Sequence, residues 1–212
     1  GRTLYIKGLW RQDGENTHNN GKVSFKFDKA TIRYNGESDH CSIVFYNMFN
    51  QHVDGLSIDR TSASNYVDII GCWHTDFNNF DISSLGIQKD NSILNGKTTS
   101  TTSVGHIKLT NGYINGDIVI DYGTTYSNGI YFDHVSVNSN NTKSYCCSLL
   151  GTLSKQDIVF NNCDLSYCSS AVFYVPEKQV GNITSSLGRC SLTCYSCYFD
   201  SNKPLFYNNN TT

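Results

Sequence analysis

The sequence predicts an all-β chain wound as a parallel β-helix, a solenoid of about seven coils. Three observations carry this reading. A pattern recurs seven times along the 212 residues, with anchors at Ala30, Leu56, Phe80, Tyr113, Val135, Cys163 and Cys197, spaced 22 to 34 residues apart. Each repeat sets a polar corner between two apolar positions. Strong helix formers are scarce: Ala occurs only at 30, 63 and 171, and Glu only at 15, 37 and 177.

The corner comes first. Two residues before the anchors stand Asp28, Asp54, Asn78, Asn111, Asp133, Asn161 and Tyr195, of which six are Asn or Asp. Next come Lys29, Gly55, Asn79, Gly112, His134, Asn162 and Ser196. Gly and Asn enter the left-handed backbone region at least cost, so this pair of positions reads as a tight bend. Before the bend lies a Phe-rich row: Phe27, Val53, Phe77, Thr110, Phe132, Phe160 and Cys194. After it lies an aliphatic row: Ile32, Ile58, Ile82, Asn115, Val137, Leu165 and Phe199. Polar residues alternate with these, the signature of a strand with one buried face. Stacked at about 4.8 Å, like residues fall above like. No coil buries its apolar face alone, so coils must stack.

The repeat at Tyr113 fits worst, because Asn115 falls in an inward slot. Either the register shifts by one, with Ile114 inward, or a bulge intervenes. The longer intervals place loops around Lys89–Val104 and Glu177–Ser186. An antiparallel sandwich is the alternative architecture, but it has no reason to repeat an Asn corner at one phase.

The chain reads as a single elongated domain, 1–212. Its ends carry no helical cap, which points to a segment of a longer chain or one layer of an assembly. A net charge of −2 with sparse, mixed charges excludes a basic stripe for nucleic acid. No run of 18 apolar residues exists, so no membrane insertion is expected. No signal peptide precedes Gly1, although processing would hide one.

Nine cysteines form an odd set. Cys163, Cys194 and Cys197 occupy ladder slots as small apolar residues. Reduced thiols suit a reducing cytoplasm, and a secreted disulfide framework is the alternative. Cys190, Cys194 and Cys197 have the spacing of a three-thiolate cluster, but two of them already sit in the ladders. No second pair completes a zinc site, and no phosphate loop is present. No cofactor or metal is expected.

Function would lie on the outward residues. After the corner these are Ser57, Asp59, Asp81, Ser83, Ser136, Asn138, Asp164, Ser166, Tyr198 and Asp200. Before it, His52 and Asp76 point out on adjacent coils. Two carboxylates about 5–10 Å apart can hydrolyse a glycosidic bond. If the chain is an enzyme, Asp59 and Asp81 are therefore its candidate catalytic pair. The candidate binding residues are His52, Trp73, Asp76, Asp164, Tyr198 and Asp200, with Tyr126, Tyr131 and Tyr145 as further aromatic platforms. The plainer alternative is a solvated polar face with capping aspartates.

The opening Gly1-Arg2-Thr3-Leu4-Tyr5-Ile6 and the segment Lys29-Ala30-Thr31-Ile32-Arg33-Tyr34-Asn35-Gly36, with the Asn corners, resemble the right-handed parallel β-helix superfamily. That group includes polysaccharide lyases, polygalacturonase-like hydrolases and bacteriophage tailspikes. The two segments are similar to the first coil of tailspikes, where a G-x-T-L-Y-I strand precedes an x-A-T-I-x-x-x-G strand. The resemblance implies a right-handed coil and a tailspike or tail-fibre role. It implies a homotrimer in a virion appendage, assembled in the bacterial host cytoplasm, that recognises host surface glycan.

Enzymatic motifs do not carry over. Where hydrolases of the group have Asn-Thr-Asp, this chain has His74-Thr75-Asp76. It has Gly105-His106-Ile107 in place of Gly-His-Gly, and no two adjacent acidic residues. A lyase would need a calcium cluster and an Arg base, yet only Arg60 lies near carboxylates. The rivals are a polysaccharide depolymerase, a structural spacer of a virion appendage, and a secreted adhesin.

Overall fold

The computed structural model describes residues 4–8, 23–28, 30–32, 41–58, 66–87, 104–122, 128–140, 142–151, 156–175, 190–199 and 202–208. The candidates Asp59, Tyr126 and Asp200 lie outside them, as do Arg60 and almost all of both expected loops.

The described residues are all-β, with strands arriving in a repeating order. First come β1 (Leu4–Lys7), β2 (Val23–Lys26) and β3 (Thr31–Ile32). Then follow β4 (Cys41–Tyr46), β5 (Gln51–Asp54) and β6 (Ser57–Ile58). The next three are β7 (Tyr66–Ile70), β8 (Trp73–Asn78) and β9 (Asp81–Ile82). β10 (Ser84–Ile87) leads to the long β11 (Gly105–Ile114), and β12 (Ile118–Tyr122) to the long β13 (Asn128–Asn138). β14 (Tyr145–Gly151), β15 (Gln156–Asn161) and β16 (Asp164–Ser166) come next. β17 (Ala171–Val175), β18 (Cys190–Tyr195), β19 (Tyr198–Phe199) and β20 (Phe206–Asn208) close the series.

The chain alternates between two sheets. An eight-stranded sheet runs β1-β4-β7-β10-β12-β14-β17-β20. A twelve-stranded sheet runs β2-β5-β8-β11-β13-β15-β18, with the short β3, β6, β9, β16 and β19 beyond the corner. Every pairing between these strands is parallel. Parallel neighbours cannot be joined by hairpins, which is why the chain must cross to the other sheet between them.

The core lies between the sheets and is built of in-register rows. One row is Val53, Phe77, Leu109, Phe132 and Phe160, all buried. Phe132 stacks on Phe160 with centroids 4.5 Å apart. Phe77 meets Phe45 of the opposite sheet edge-on at 5.0 Å. Beyond the corner, Ile58, Ile82, Ile114, Val137 and Leu165 form the aliphatic row.

Two repeats depart from the expected register. In the fourth, Gly112 pairs with Val135 and Ile114 with Val137, so the one-residue shift is the arrangement present. Asn111 makes the bend at φ 53°, and Tyr113 faces outward rather than anchoring the core. The reason is steric: any side chain at position 112 would fall on the Phe80 ring, so glycine is needed as the floor of that ring. In the first repeat, Phe25 rather than Phe27 occupies the Phe-rich row, opposite Val53. Lys26 lies opposite Asp54, and Phe27–Ala30 forms a wider turn closed by the Ala30 N–H on the Phe27 carbonyl at 3.0 Å. Ala30 is exposed, not an inward anchor. Ser83 and Ser166, expected to face outward, are buried.

Candidate functional site

The corner fixes the geometry of the surface. Gly55, Asn79, Asn111, His134, Asn162 and Ser196 take it with φ between 49° and 74°. Gly and Asn tolerate this conformation, whereas His134 and Ser196 are strained by it. A polar ladder runs alongside. Asn78 Nδ2 and Asn79 Nδ2 donate to Asp54 Oδ1 at 3.0 and 2.9 Å. Thr110 Oγ1 and Asn111 Nδ2 donate to Asn78 Oδ1 at 2.9 and 3.0 Å. Asn161 Nδ2 donates to Asp133 Oδ1 at 2.8 Å, and His134 Nδ1 lies 2.9 Å from the same oxygen. Each short polar side chain is thus held by the layer beside it, which makes the ridge rigid.

Two outward rows flank the ridge. Before the corner run Ser24, His52, Asp76, Lys108, Tyr131, Val159 and Thr193, paired in register. After it run Thr31, Ser57, Asp81, Tyr113, Ser136, Asp164 and Tyr198. Asp76 and Lys108 are exposed, and Tyr131 and Tyr198 are 41% and 63% exposed.

These rows place the sequence candidates. His52 and Asp76 are direct cross-strand neighbours on the first row. Asp81, Asp164 and Tyr198 share the second. Asp81 and Asp164 are separated by Tyr113 and Ser136, three strand steps or about 14 Å. Asp164 Oδ1 is buried without a hydrogen-bond partner, as is the Ser166 hydroxyl two residues on. Such groups are where a bound water or ligand hydroxyl is most favourable.

Trp73 lies on neither row. It sits at the bend that leads into β8, and its ring packs on the backbone of Gly105 in the next layer. It meets His106 edge-on at 5.6 Å, while His74 and His106 stack at 4.5 Å, nearly parallel. Burial lowers the His74 pKa, the neighbouring His106 lowers it further, and Asp76 opposes both.

Sequence reasoning did not single out Lys108 or the His74–His106 stack, and it took Tyr113 as an inward anchor. Alternation through His106-Ile107-Lys108-Leu109 carries the signal for Lys108 once Leu109 is taken as the inward residue. Among the described residues, no group of three or more His, Cys, Asp or Glu could hold a metal ion. Cys72, Cys146, Cys147, Cys163, Cys168, Cys194 and Cys197 form no disulfide. Burial pushes Cys72 and Cys163 up to about 12, so neither is a ready nucleophile.

Comparison with protein-family models, with curated proteins and with solved structures returns no match.

Proposed function

We propose that the chain is a right-handed parallel β-helix of about seven coils that acts as a bacteriophage tailspike or fibre-type receptor-binding segment. In this reading it recognises host surface polysaccharide, as a homotrimer within a virion appendage. The observation that carries the glycan assignment is the pair of open rows beside the corner ridge. Asp76, Lys108 and Tyr131 on one side, and Asp81, Ser136, Asp164 and Tyr198 on the other, offer hydroxyl, carboxylate, ammonium and aromatic groups at a fixed spacing. Such a surface suits sugars, whose rings have apolar faces and hydroxyl edges. Because the groups stand on strands, little conformational freedom is lost on binding. The free thiols fit assembly in a reducing cytoplasm.

A polysaccharide depolymerase is the rival reading, in which Asp59 and Asp81 would be the catalytic pair.

The test is binding of the purified chain to capsule, lipopolysaccharide and teichoic acid preparations, with released reducing ends measured in parallel. Binding without release is expected. Tyr131→Ala and Tyr198→Ala should each weaken it about tenfold, the loss of roughly 1.4 kcal/mol. Release of reducing ends would make the chain a depolymerase. Binding to none of the preparations would sink the recognition reading and leave a structural spacer.

A further inference from the structure

We propose that His74 and His106 form a two-imidazole site for a transition-metal ion of the zinc, nickel and copper class. The site lies at the bend into the twelve-stranded sheet, and the inference does not depend on glycan recognition.

Four successive layers share this bend. Phe49 bridges to Trp73, Trp73 pairs with Gly105, and Gly105 pairs with Asn128. The residue after each therefore holds the same position of the repeat: Asn50, His74, His106 and Gly129. All four have positive φ, at 54°, 51°, 51° and 68°. Asn and Gly take this conformation at least cost. The outer two layers use them, and the inner two carry histidine. A costlier side chain is thus kept twice in succession where the neighbouring layers show the cheap solution. Backbone strain of this kind clusters at functional sites.

The bend also sets the two rings against each other. They stack face to face, with centroids 4.5 Å apart and planes 7° from parallel. Both residues are exposed. The strands hold their Cβ atoms one above the other, while the exposed rings can turn about χ2, a soft torsion. A tetrahedral ion with bonds of about 2.0–2.1 Å to nitrogen needs its two ligand nitrogens about 3.3 Å apart. Tilting the rings toward each other closes the stacked separation to that value.

The donor type selects the ion. Imidazole nitrogen suits zinc, nickel and copper, whereas calcium and magnesium bind through oxygen. Asp76, two residues from His74 and also exposed, adds a negative charge beside the site. Among the described residues no group of three His, Cys, Asp or Glu could hold a metal. The pair is therefore a two-ligand site, and water fills the remaining positions.

Trp73 supplies a local reporter. Its ring stands edge-on to both imidazoles, 6.2 Å from His74 and 5.6 Å from His106. Copper(II) bound between them quenches its fluorescence. The chain has two tryptophans, so Trp10→Phe leaves Trp73 as the sole emitter.

Titration of the full chain carrying Trp10→Phe with copper(II), at about pH 7.5 where imidazole is mostly neutral, tests this. Saturable quenching is expected, with no response to calcium or magnesium. His74→Asn and His106→Asn install a residue that Asn50 shows the bend accepts, and circular dichroism checks that each variant folds. Each should weaken copper binding at least about tenfold, since a direct ligand is lost. In the unmodified chain, zinc should shift the ring-proton NMR signals of His74 and His106 together. Quenching that does not saturate, or that is as tight in either Asn variant, would overturn the proposal. So would a zinc titration in which the two rings do not respond together.

Discussion

The outward rows of the two sheets differ. In the eight-stranded sheet, Val44, Asp68, Val119 and Ser148 lie on one outward row, and all four are buried. In the twelve-stranded sheet, Asp76, Lys108, Tyr131 and Tyr198 face solvent. The sequence runs reflect this. Ile43-Val44-Phe45-Tyr46 and Ile118-Val119-Ile120 are continuous apolar runs, as strands covered on both faces require. His106-Ile107-Lys108-Leu109-Thr110 alternates, as a strand with one wet face does. Among the described residues the alternating sheet holds the exposed charged groups Asp76 and Lys108, and it is there that the proposed recognition would lie.

The largest effect should come from the core that both sheets share. Phe132→Ala removes a fully buried ring stacked on Phe160 and should cost about 3–5 kcal/mol. Urea unfolding followed by circular dichroism measures it. One cooperative transition at a lower midpoint is expected. Two separated transitions would mean that the sheets have independent cores, and the comparison would then be between two units rather than two faces.

A matched pair of aspartates probes the difference between the faces. Asp68 is fully buried on the outward row of the eight-stranded sheet, whereas Asp76 is exposed on that of the twelve-stranded sheet. Asp68→Ala should destabilise by about 1–3 kcal/mol, through the polar neighbours it leaves unsatisfied. Asp76→Ala should change stability by no more than about 0.5 kcal/mol. Equal effects in thermal melts would erase the distinction between a covered and an open face.

The steric reason for the shifted fourth repeat gives a finer test. Gly112→Ala drives a methyl into the Phe80 ring and should cost about 1–3 kcal/mol. Asn111→Gly, at the bend itself, keeps the positive φ and loses only the exposed hydrogen bond to Asn78, so it should cost less, about 0.5 kcal/mol. The opposite ranking would put the bend back at Gly112.

That repeat marks where the sequence stopped being legible. The bend at Gly55, Asn79 and Asn162 could be read directly, since few residues tolerate positive φ. So could the Ile and Phe rows, because period-two alternation survives stacking. Gly112 misled, because a glycine chosen for the space under a ring looks the same as one chosen for a bend. Asp28 misled because a wide turn placed it at the corner's spacing from Ala30, while Lys26 held the corner row. Burial of Ser83 and Ser166 was illegible for another reason: alternation tells which side a residue faces, not what covers that side. At the site, His52, Asp76, Asp81, Asp164 and Tyr198 were readable as outward positions. Trp73 was readable only as an aromatic, and its packing on Gly105 depends on a residue 32 positions away.

The smallest expected effect is a pH dependence confined to the open side. His74 and His106 stack at the bend into the twelve-stranded sheet, with Asp76 and the aromatic rings of Phe49 and Trp73 beside them. Burial, then His106, lowers the His74 pKa below its ordinary 6.5, and Asp76 only partly offsets this. The folded state therefore binds its proton less readily than the unfolded chain. The contribution of His74 is complete above pH 6.5 and declines as pH falls through the lowered folded value. Because the ring is largely exposed, solvent screens the effect, and the melting temperature should dip only slightly on acidification. His106→Gln should raise the His74 pKa toward 6.5, read by NMR titration of the ring protons, and should shrink the dip. If the dip persisted unchanged in His74→Gln, the acid sensitivity would have to arise elsewhere, and this bend would be no more pH-sensitive than the covered sheet.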